Sequence, residues 1–547
     1  MYRMSRREVL IAAGATTLAL AGCSSGGAKK SSLNLDANKV GAMANFGVGS
    51  QFKATKPLTF PILHLTNPGY PLKKDWLFWS EVTKRTNITL DTTEVPLSDY
   101  NNKRSLLIGA GQAPVIVPKT YPGQEAPFVA SGAILPVSDY IDLMPNFKDK
   151  VAKWNLGGDI DTLRQADGKF YLLPGLHQDV WPDYSLAIRT DVLDKLNLKV
   201  PTTWDDVRSM LQAMKAANAA SSYPFSDRWG VPTPGGNLLN IIGSAYGAPG
   251  GWGYFNATYD AKAKKYVATG GMEQWKQMLQ FLHGLVADKL LDPESFTQSD
   301  DNAIQKFTSG KSLVISTNAQ TLVNPYRSNL AQSIPGATVV KMPVPVGPMG
   351  AVKAGSRLEN GVMILKKARE REDFVAMMQF IDWLWYSDAG QMFARWGVEG
   401  VTYTGSVDNG TFKLASDVNW AGLNPSGTKL LNKDFGFFNG VFAYGGSTKL
   451  LNTQFPAEEL TFQKAMNARK TLAVAPPYPF TADEREKATL WETPMQDFVT
   501  QNALKFILGQ RDFGQWDAYI NELKGKNSGP YIDLVNKARQ RFEKTKG

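Results

Sequence analysis

Leu58-Thr59-Phe60-Pro61-Ile62-Leu63-His64-Leu65 is an apolar run of strand length, and after it Leu72, Trp76, Trp79 and Val82 mark one face of a helix ending near Asn87. Ile88-Thr89-Leu90-Asp91-Thr92-Thr93-Glu94-Val95 follows as a second strand. Working outward, Ser98 caps a helix through Ile108, Gly109-Ala110-Gly111 closes it, and Pro114 to Pro118 brackets a short buried strand. The alternation returns with a strand at Tyr184–Arg189, a helix at Asp191–Leu196, and a helix capped by Thr202 or Thr203 that carries Val207, Leu211 and Met214. Further strands are expected at Leu313–Ser316, Thr338–Val340 and Gly361–Leu365, and an apolar helix at Asp373–Tyr386. Thr481 and Glu484 form a capping box that opens a helix bearing Met495, Phe498, Val499 and Phe506, and Trp516, Tyr519, Ile520 and Leu523 repeat the pattern. No repeat of fixed period is present. Such alternation predicts an α/β fold, with mostly parallel sheets flanked by helices and a helical C-terminal part.

The first residues have a different logic. Arg3, Arg6 and Arg7 precede an apolar stretch from Val9 to Leu20, and Leu20-Ala21-Gly22-Cys23 closes it. This resembles a bacterial lipoprotein signal peptide (1–22), in which Cys23 is lipidated and becomes the first residue. Ser5-Arg6-Arg7-Glu8-Val9-Leu10 also resembles a twin-arginine export signal. The apolar run is shorter than the roughly 20 residues that span a bilayer. The expectation is therefore a body anchored by lipid to the bacterial cell membrane on its extracytoplasmic side. Cys23 is the only cysteine of the 547 residues, so disulfides cannot hold the fold. From Ser24 to about Thr55 the chain is rich in Ser, Gly, Ala, Lys and Asn, which reads as a flexible tether (23–55).

The formal charge is +10, two units of which belong to Arg3, Arg6, Arg7 and Glu8 of the signal. No Lys/Arg stripe interleaved with aromatics tracks a phosphate backbone, which argues against nucleic acid. Attraction to the anionic envelope, an acidic ligand and plain solubility all remain open as meanings of the charge.

Several segments, in order, are similar to family 1 extracellular solute-binding proteins. They are Phe78-Trp79-Ser80-Glu81-Val82-Thr83-Lys84-Arg85-Thr86-Asn87-Ile88, Asp167-Gly168-Lys169-Phe170-Tyr171-Leu172-Leu173-Pro174, Tyr184-Ser185-Leu186-Ala187-Ile188-Arg189 and Val200-Pro201-Thr202-Thr203-Trp204-Asp205-Asp206. Arg395-Trp396-Gly397-Val398-Glu399-Gly400-Val401-Thr402-Tyr403 resembles a segment of the aldouronate and complex-carbohydrate branch, and Phe506-Ile507-Leu508-Gly509 with Trp516-Asp517-Ala518-Tyr519 fits it too. The resemblance implies the substrate-binding lipoprotein of a carbohydrate ABC importer, a monomer with two periplasmic-binding-protein-like lobes that close on an oligosaccharide and then dock on the permease. It places crossings near Pro174–Trp181, Met342–Pro348 and Trp385–Gln391. The lobes would be 56–178 with 345–385, and 179–344 with 386–547.

A sugar offers an apolar C–H face and a hydroxyl rim, so its site needs aromatic plates with polar neighbours. Of the fourteen tryptophans, Trp76, Trp79, Trp204, Trp275, Trp383, Trp385, Trp491 and Trp516 lie on apolar helical faces or at helix starts, as core residues do. Trp181, Trp229, Trp252 and Trp396 lie in Gly- and Pro-rich connections, where binding residues concentrate. Strand ends facing a cleft nominate His64, Thr66 and Asn67, then Lys119, Thr120 and Tyr121, then Asn318 and Gln320. Asp183 follows Trp181, and Glu399 and Tyr403 follow Trp396. Lys119 and Arg357 are the cations available to a uronic carboxylate. Each of these residues also fits an ordinary cap or surface role.

An enzyme is not expected. Asp179 with Asp183 or Glu399 is the one imaginable carboxylate pair, and nothing in the sequence positions it. His64, His177 and His283 form no metal motif, and no Gly-x-Ser-x-Gly elbow occurs. Ser299-Asp300-Asp301-Asn302 lacks calcium-loop spacing and reads as a helix cap. Neither a metal nor a cofactor is expected. A tethered receptor for a peptide or other solute, and a secreted carbohydrate hydrolase, are the competing readings.

Overall fold

Two large apolar cores organise the chain, each built around its own sheet. The computed structural model describes residues 34–217, 223–230, 233–353 and 355–546. The export signal, Cys23 and the start of the expected tether lie outside the described residues.

β1 (Leu58–Thr66), α1 (Leu77–Thr86) and β2 (Ile88–Pro96) form the strand–helix–strand unit expected from the sequence. Asn87 ends α1 in the left-handed conformation (φ 58°), and its N–H bonds the Thr83 carbonyl. β1 and β2 pair in parallel from Leu58 opposite Ile88 to Thr66 opposite Pro96. α2 (Tyr100–Gly109) leads into β3 (Ile116–Thr120), parallel to β1, and β4 (Leu173–Leu176) ends the first passage. The chain then makes a second sheet, in the order β6-β5-β7, from β5 (Ser185–Arg189), β6 (Val314–Thr317) and β7 (Val339–Lys341), with α3 (Gly236–Tyr246) between β5 and β6 in sequence. β8 (Leu358–Ile364) returns to the first sheet, whose order is β2-β1-β3-β8-β4.

Parallel pairing holds for β1 with β2 and with β3. The other pairings in these two sheets are antiparallel, because β8 enters from the crossing, and β6 and β7 both run toward the crossing that β5 leaves. One consequence positions the site: the end of β3, the start of β5 and the ends of β6 and β7 all lie at the edge where the lobes meet.

α4 (Phe374–Tyr386) is buried at every residue, as a helix apolar all round must be. Its one carboxylate, Asp382, accepts hydrogen bonds from the Asn146 N–H and Nδ2 and from the Phe147 N–H, while burial pushes its pKa to about 6. The next helix, α5 (Asp388–Trp396), folds straight back; Gly390 permits the approach, since a Cβ there would lie 1.9 Å from the Trp383 carbonyl. The third crossing expected at Trp385–Gln391 is therefore interior to the first core, which extends through Trp396, Phe437 and Tyr444 to Leu450.

The chain crosses instead between Leu450 and α6 (Ala457–Asn467), which lies on the second lobe through Glu459 with Lys341, Glu458 with Arg327, and Gln463 with the Pro182 carbonyl. α7 (Ala482–Ile507) and the helices after it complete the second core. The expected boundaries at 345 and 386 move accordingly. Gly347 still packs on Ala245 of the second lobe and Lys353 Nζ donates to Asn467, so the chain leaves the second lobe only after Lys353, and Arg357 already pairs with His177 at the crossing. Residues 34–55, expected to be part of the tether, pack on the first lobe. Phe52 and Ala54 are buried in the first core, Asn38 Nδ2 donates to the Arg369 and Arg371 carbonyls, and the Ala54 N–H bonds the Thr86 carbonyl. A polar segment is anchored here by a few buried side chains and by backbone pairing, which composition does not reveal.

Candidate ligand-binding cleft

At the crossing the lobes are tied by a compact polar knot. The His177 N–H donates to the Arg357 carbonyl and the Gly446 N–H to the Leu176 carbonyl, both at 2.8 Å. The Glu359 carboxylate joins all three segments, accepting from His177 Nε2 (2.9 Å) and the Gly445 N–H (2.8 Å). Burial pushes Glu359 upward, but the His177 bond, the Gly445 N–H and the nearby Arg395 guanidinium together hold it below the usual carboxylate value. Trp181, on the first crossing, packs its ring against His177 and Phe455 at centroid distances of 5.6 and 5.5 Å.

The second-lobe wall is aromatic. Tyr184, Trp229 and Trp252 touch pairwise, with ring centroids 5.3–5.5 Å apart. Trp229 takes a left-handed backbone conformation (φ 61°), costly for a bulky residue and a sign that the surroundings over-determine it. Asp300 accepts from the Trp229 N–H at 2.9 Å and from Arg228 at 2.8 Å, and the Arg228 guanidinium lies 4.3 Å from the Trp229 ring centroid. Beneath, the Asp227 carboxylate, pushed up to about 6 by burial, accepts from the Ser316 N–H and hydroxyl and fixes the loop to the end of β6. Gly236 admits the indoles: a Cβ there would stand 2.4 Å from Trp252 Nε1 and 2.5 Å from the Trp229 carbonyl. Asn318 caps the turn after β6 by accepting from Thr321, and its side chain also reaches the Tyr184 hydroxyl, whose pKa burial raises to about 12.

The first-lobe wall is the end of β3. Lys119 is left-handed (φ 56°), its N–H donates to the Tyr444 hydroxyl (3.0 Å), and its Nζ lies 5.5 Å from the Tyr121 ring centroid. Arg104, from α2, donates to the Lys119 carbonyl, the Thr120 hydroxyl and Gln124 Oε1. Tyr121 is 47% exposed and stands close enough to Tyr184 for the phenols to feel each other across the cleft.

Of the residues nominated from the sequence, Lys119, Tyr121, Trp229, Trp252, Asn318 and Trp181 thus lie on or beside the cleft. Asp183 is at its edge but spent, bonded by the Ala319 N–H beside Lys341. Six nominations fail. Trp396 is fully buried, donating to Thr453 and packing on Phe412 and Phe438. Tyr403 feels Arg85 at the C-terminal end of α1, so it and exposed Glu399 sit at the opposite end of the sheet. Arg357 is consumed by the Trp154 and Asn155 carbonyls and by Asp159. Asn67 closes its own turn, accepting from the Gly69 N–H.

The sixth, His64, points into the core against Trp76, Trp79 and Phe442, and neither ring nitrogen has a partner. Burial lowers its pKa from 6.5 to about 4. The unfolded chain takes up a proton that the folded chain refuses, so stability falls as pH drops through this window, by up to about 1.4 kcal/mol per pH unit. Denaturation of His64→Leu against wild type at pH 7 and pH 5 should show the variant gaining about 2 kcal/mol relative to wild type on acidification. A pH-independent difference would refute it.

Sequence reasoning missed Tyr184, Tyr444, Arg104 and Arg228 as site residues. Tyr184 directly follows the nominated Asp183, and Tyr444 precedes the Gly445-Gly446 pair at the crossing. Half-exposed aromatic plates beside neutral polar groups suit the C–H faces and hydroxyls of a polyol. Of the carboxylates considered for catalysis, Asp179 accepts from the Thr448 hydroxyl, and Asp183 and Glu399 are placed as described. Among the described residues no group of three or more His, Cys, Asp or Glu could hold a metal.

The chain is 22% identical over 529 residues, 91% of its length and 93% of the relative's, to the fructooligosaccharide ABC transporter substrate-binding protein FusA of Streptococcus pneumoniae. It is 23% identical over 346 residues, 62% of its length and 66% of the relative's, to the polygalacturonan/rhamnogalacturonan-binding protein YtcQ of Bacillus subtilis. The fold is that of the crystal structure of the alginate-binding protein AlgQ2, with a TM-score of 0.67 over 90% of this chain and 99% of that one at 19% identity. Residues 70–392 match the model of the bacterial extracellular solute-binding protein family, to which the chain belongs.

Proposed function

We propose that the chain is the membrane-tethered receptor of an ABC importer, which holds an oligosaccharide between its lobes and hands it unaltered to the permease. The observation that carries this reading is the Tyr184–Trp229–Trp252 platform, opposed across the cleft by Tyr121, with Trp229 held in a strained backbone conformation by Asp300. Stacking on such a plate recognises a sugar face and tolerates variation in the rest of the chain. The fructooligosaccharide and polygalacturonan receptors among the relatives support a saccharide over a peptide.

A thermal-shift panel of neutral and uronate-bearing oligosaccharides, with product analysis, tests the reading. One class should stabilise the protein by about 2.7 kcal/mol at a hundredfold excess over Kd, with the sugar recovered intact. No shift with any sugar, or cleavage of one, would overturn it. The tether is the lipid on Cys23: Cys23→Ala should move the protein from the detergent phase to the aqueous phase with ligand affinity unchanged, and unchanged partitioning would contradict the anchor.

A further inference from the structure

We propose that the wall formed by Lys119 and Tyr121 selects an anionic sugar, binding a hexuronate carboxylate at Lys119 Nζ; this rests on the saccharide reading of the cleft. Two cations, Lys119 of β3 and Arg104 of α2, meet at the end of β3, and neither is bonded by a carboxylate among the described residues. Lys119 is half-buried and forms no ion pair; its ammonium is parked over the Tyr121 ring. Arg104, behind it, is 3% exposed, yet its donors go only to neutral acceptors: the Lys119 carbonyl, the Thr120 hydroxyl and Gln124 Oε1.

A buried guanidinium without an anion is a standing electrostatic cost, and it leaves a positive potential directed at the cleft. The carboxylates nearby do not cancel it. Burial raises the pKa of Glu125 toward its neutral form, where it accepts from the Gly123 N–H and Gln165; Asp183 faces Lys341, and Glu359 faces His177 and Arg395. Arg104 is the positioning residue: its bonds to residues 119, 120 and 124 hold the left-handed turn that presents Lys119 beside Tyr121. A uronate ring stacked near Tyr121 would bring its carboxylate to Nζ in a charge-assisted bond.

Trigalacturonate and a glucuronoxylan tetrasaccharide, each as the free acid and as its methyl ester, keep the sugar and remove the charge. Titration calorimetry on the mature chain should show at least one acid bound about tenfold or more tighter than its ester, with affinity falling as salt rises. That acid-to-ester ratio should collapse in Lys119→Gln and return in Lys119→Arg. An ester bound as tightly as its acid, a ratio unmoved in Lys119→Gln, or binding of neutral oligosaccharides alone would overturn the inference and leave the saccharide receptor standing. Binding of no saccharide would overturn both.

Discussion

Glu459→Gln should destabilise the second lobe by about 3–5 kcal/mol, read as a lower urea midpoint, because it strips the hydrogen-bonded carboxylate from a buried ammonium. Lys341 Nζ lies 2.6 Å from Glu459 Oε1, with side-chain exposures of 1% and 4%. Burial drives Lys341 down and Glu459 up, toward their neutral forms, and each charge opposes the other's shift. The ammonium otherwise bonds the Asp183 carbonyl at 3.0 Å and lies 3.8 Å from the Phe462 ring, and the Asp183 and Glu458 carboxylates act on its charge from farther off without replacing the bonded one. Lys341 ends β7 and Glu459 belongs to α6, so the pair is also what seats the third crossing on the second lobe. The double variant Lys341→Met, Glu459→Leu should recover most of the loss, since an apolar pair leaves no stranded charge. A loss below about 1 kcal/mol in the single variant would show that water or a rearranged neighbour solvates Lys341.

Trp229→Ala should weaken ligand binding by about 2–3 kcal/mol, roughly 30–150-fold in Kd, the scale of a central aromatic anchor. The ring is held on three sides, by Tyr184, Trp252 and the Arg228 guanidinium, so little ordering cost remains for the ligand to meet. Trp229→Phe should retain part of the affinity, since a smaller plate remains. Melting temperatures of the free proteins distinguish lost stacking from a collapsed loop. An affinity within threefold of wild type would remove Trp229 from the site.

Both opening strands and the end of α1 were legible to within a residue, whereas α1 begins only at Leu77, five residues after the Leu72 expected on its face. Thr481 and Glu484 form the expected reciprocal cap, and Trp76, Trp204, Trp275, Trp383 and Trp385 are core, as helical spacing implied. What failed depends on direction rather than pattern. Trp396 sits in a Gly-rich context, but it ends α5 facing inward. His64 lies near the right strand end and on its inner face, whereas Lys119, one residue before the end of β3, turns outward through a backbone conformation that sequence does not announce. The third crossing was misplaced because a buried helix ending at Tyr386 looks like the end of a lobe, and only the close approach at Gly390 turns it back.

A crystal structure of the mature chain with the sugar chosen by titration tests the receptor reading most directly. The expected density is a pyranose or furanose stacked on Trp229, between the Tyr184–Trp252 pair and Tyr121, with its glycosidic bonds intact. A sugar seated elsewhere, with the platform bare, would contradict it.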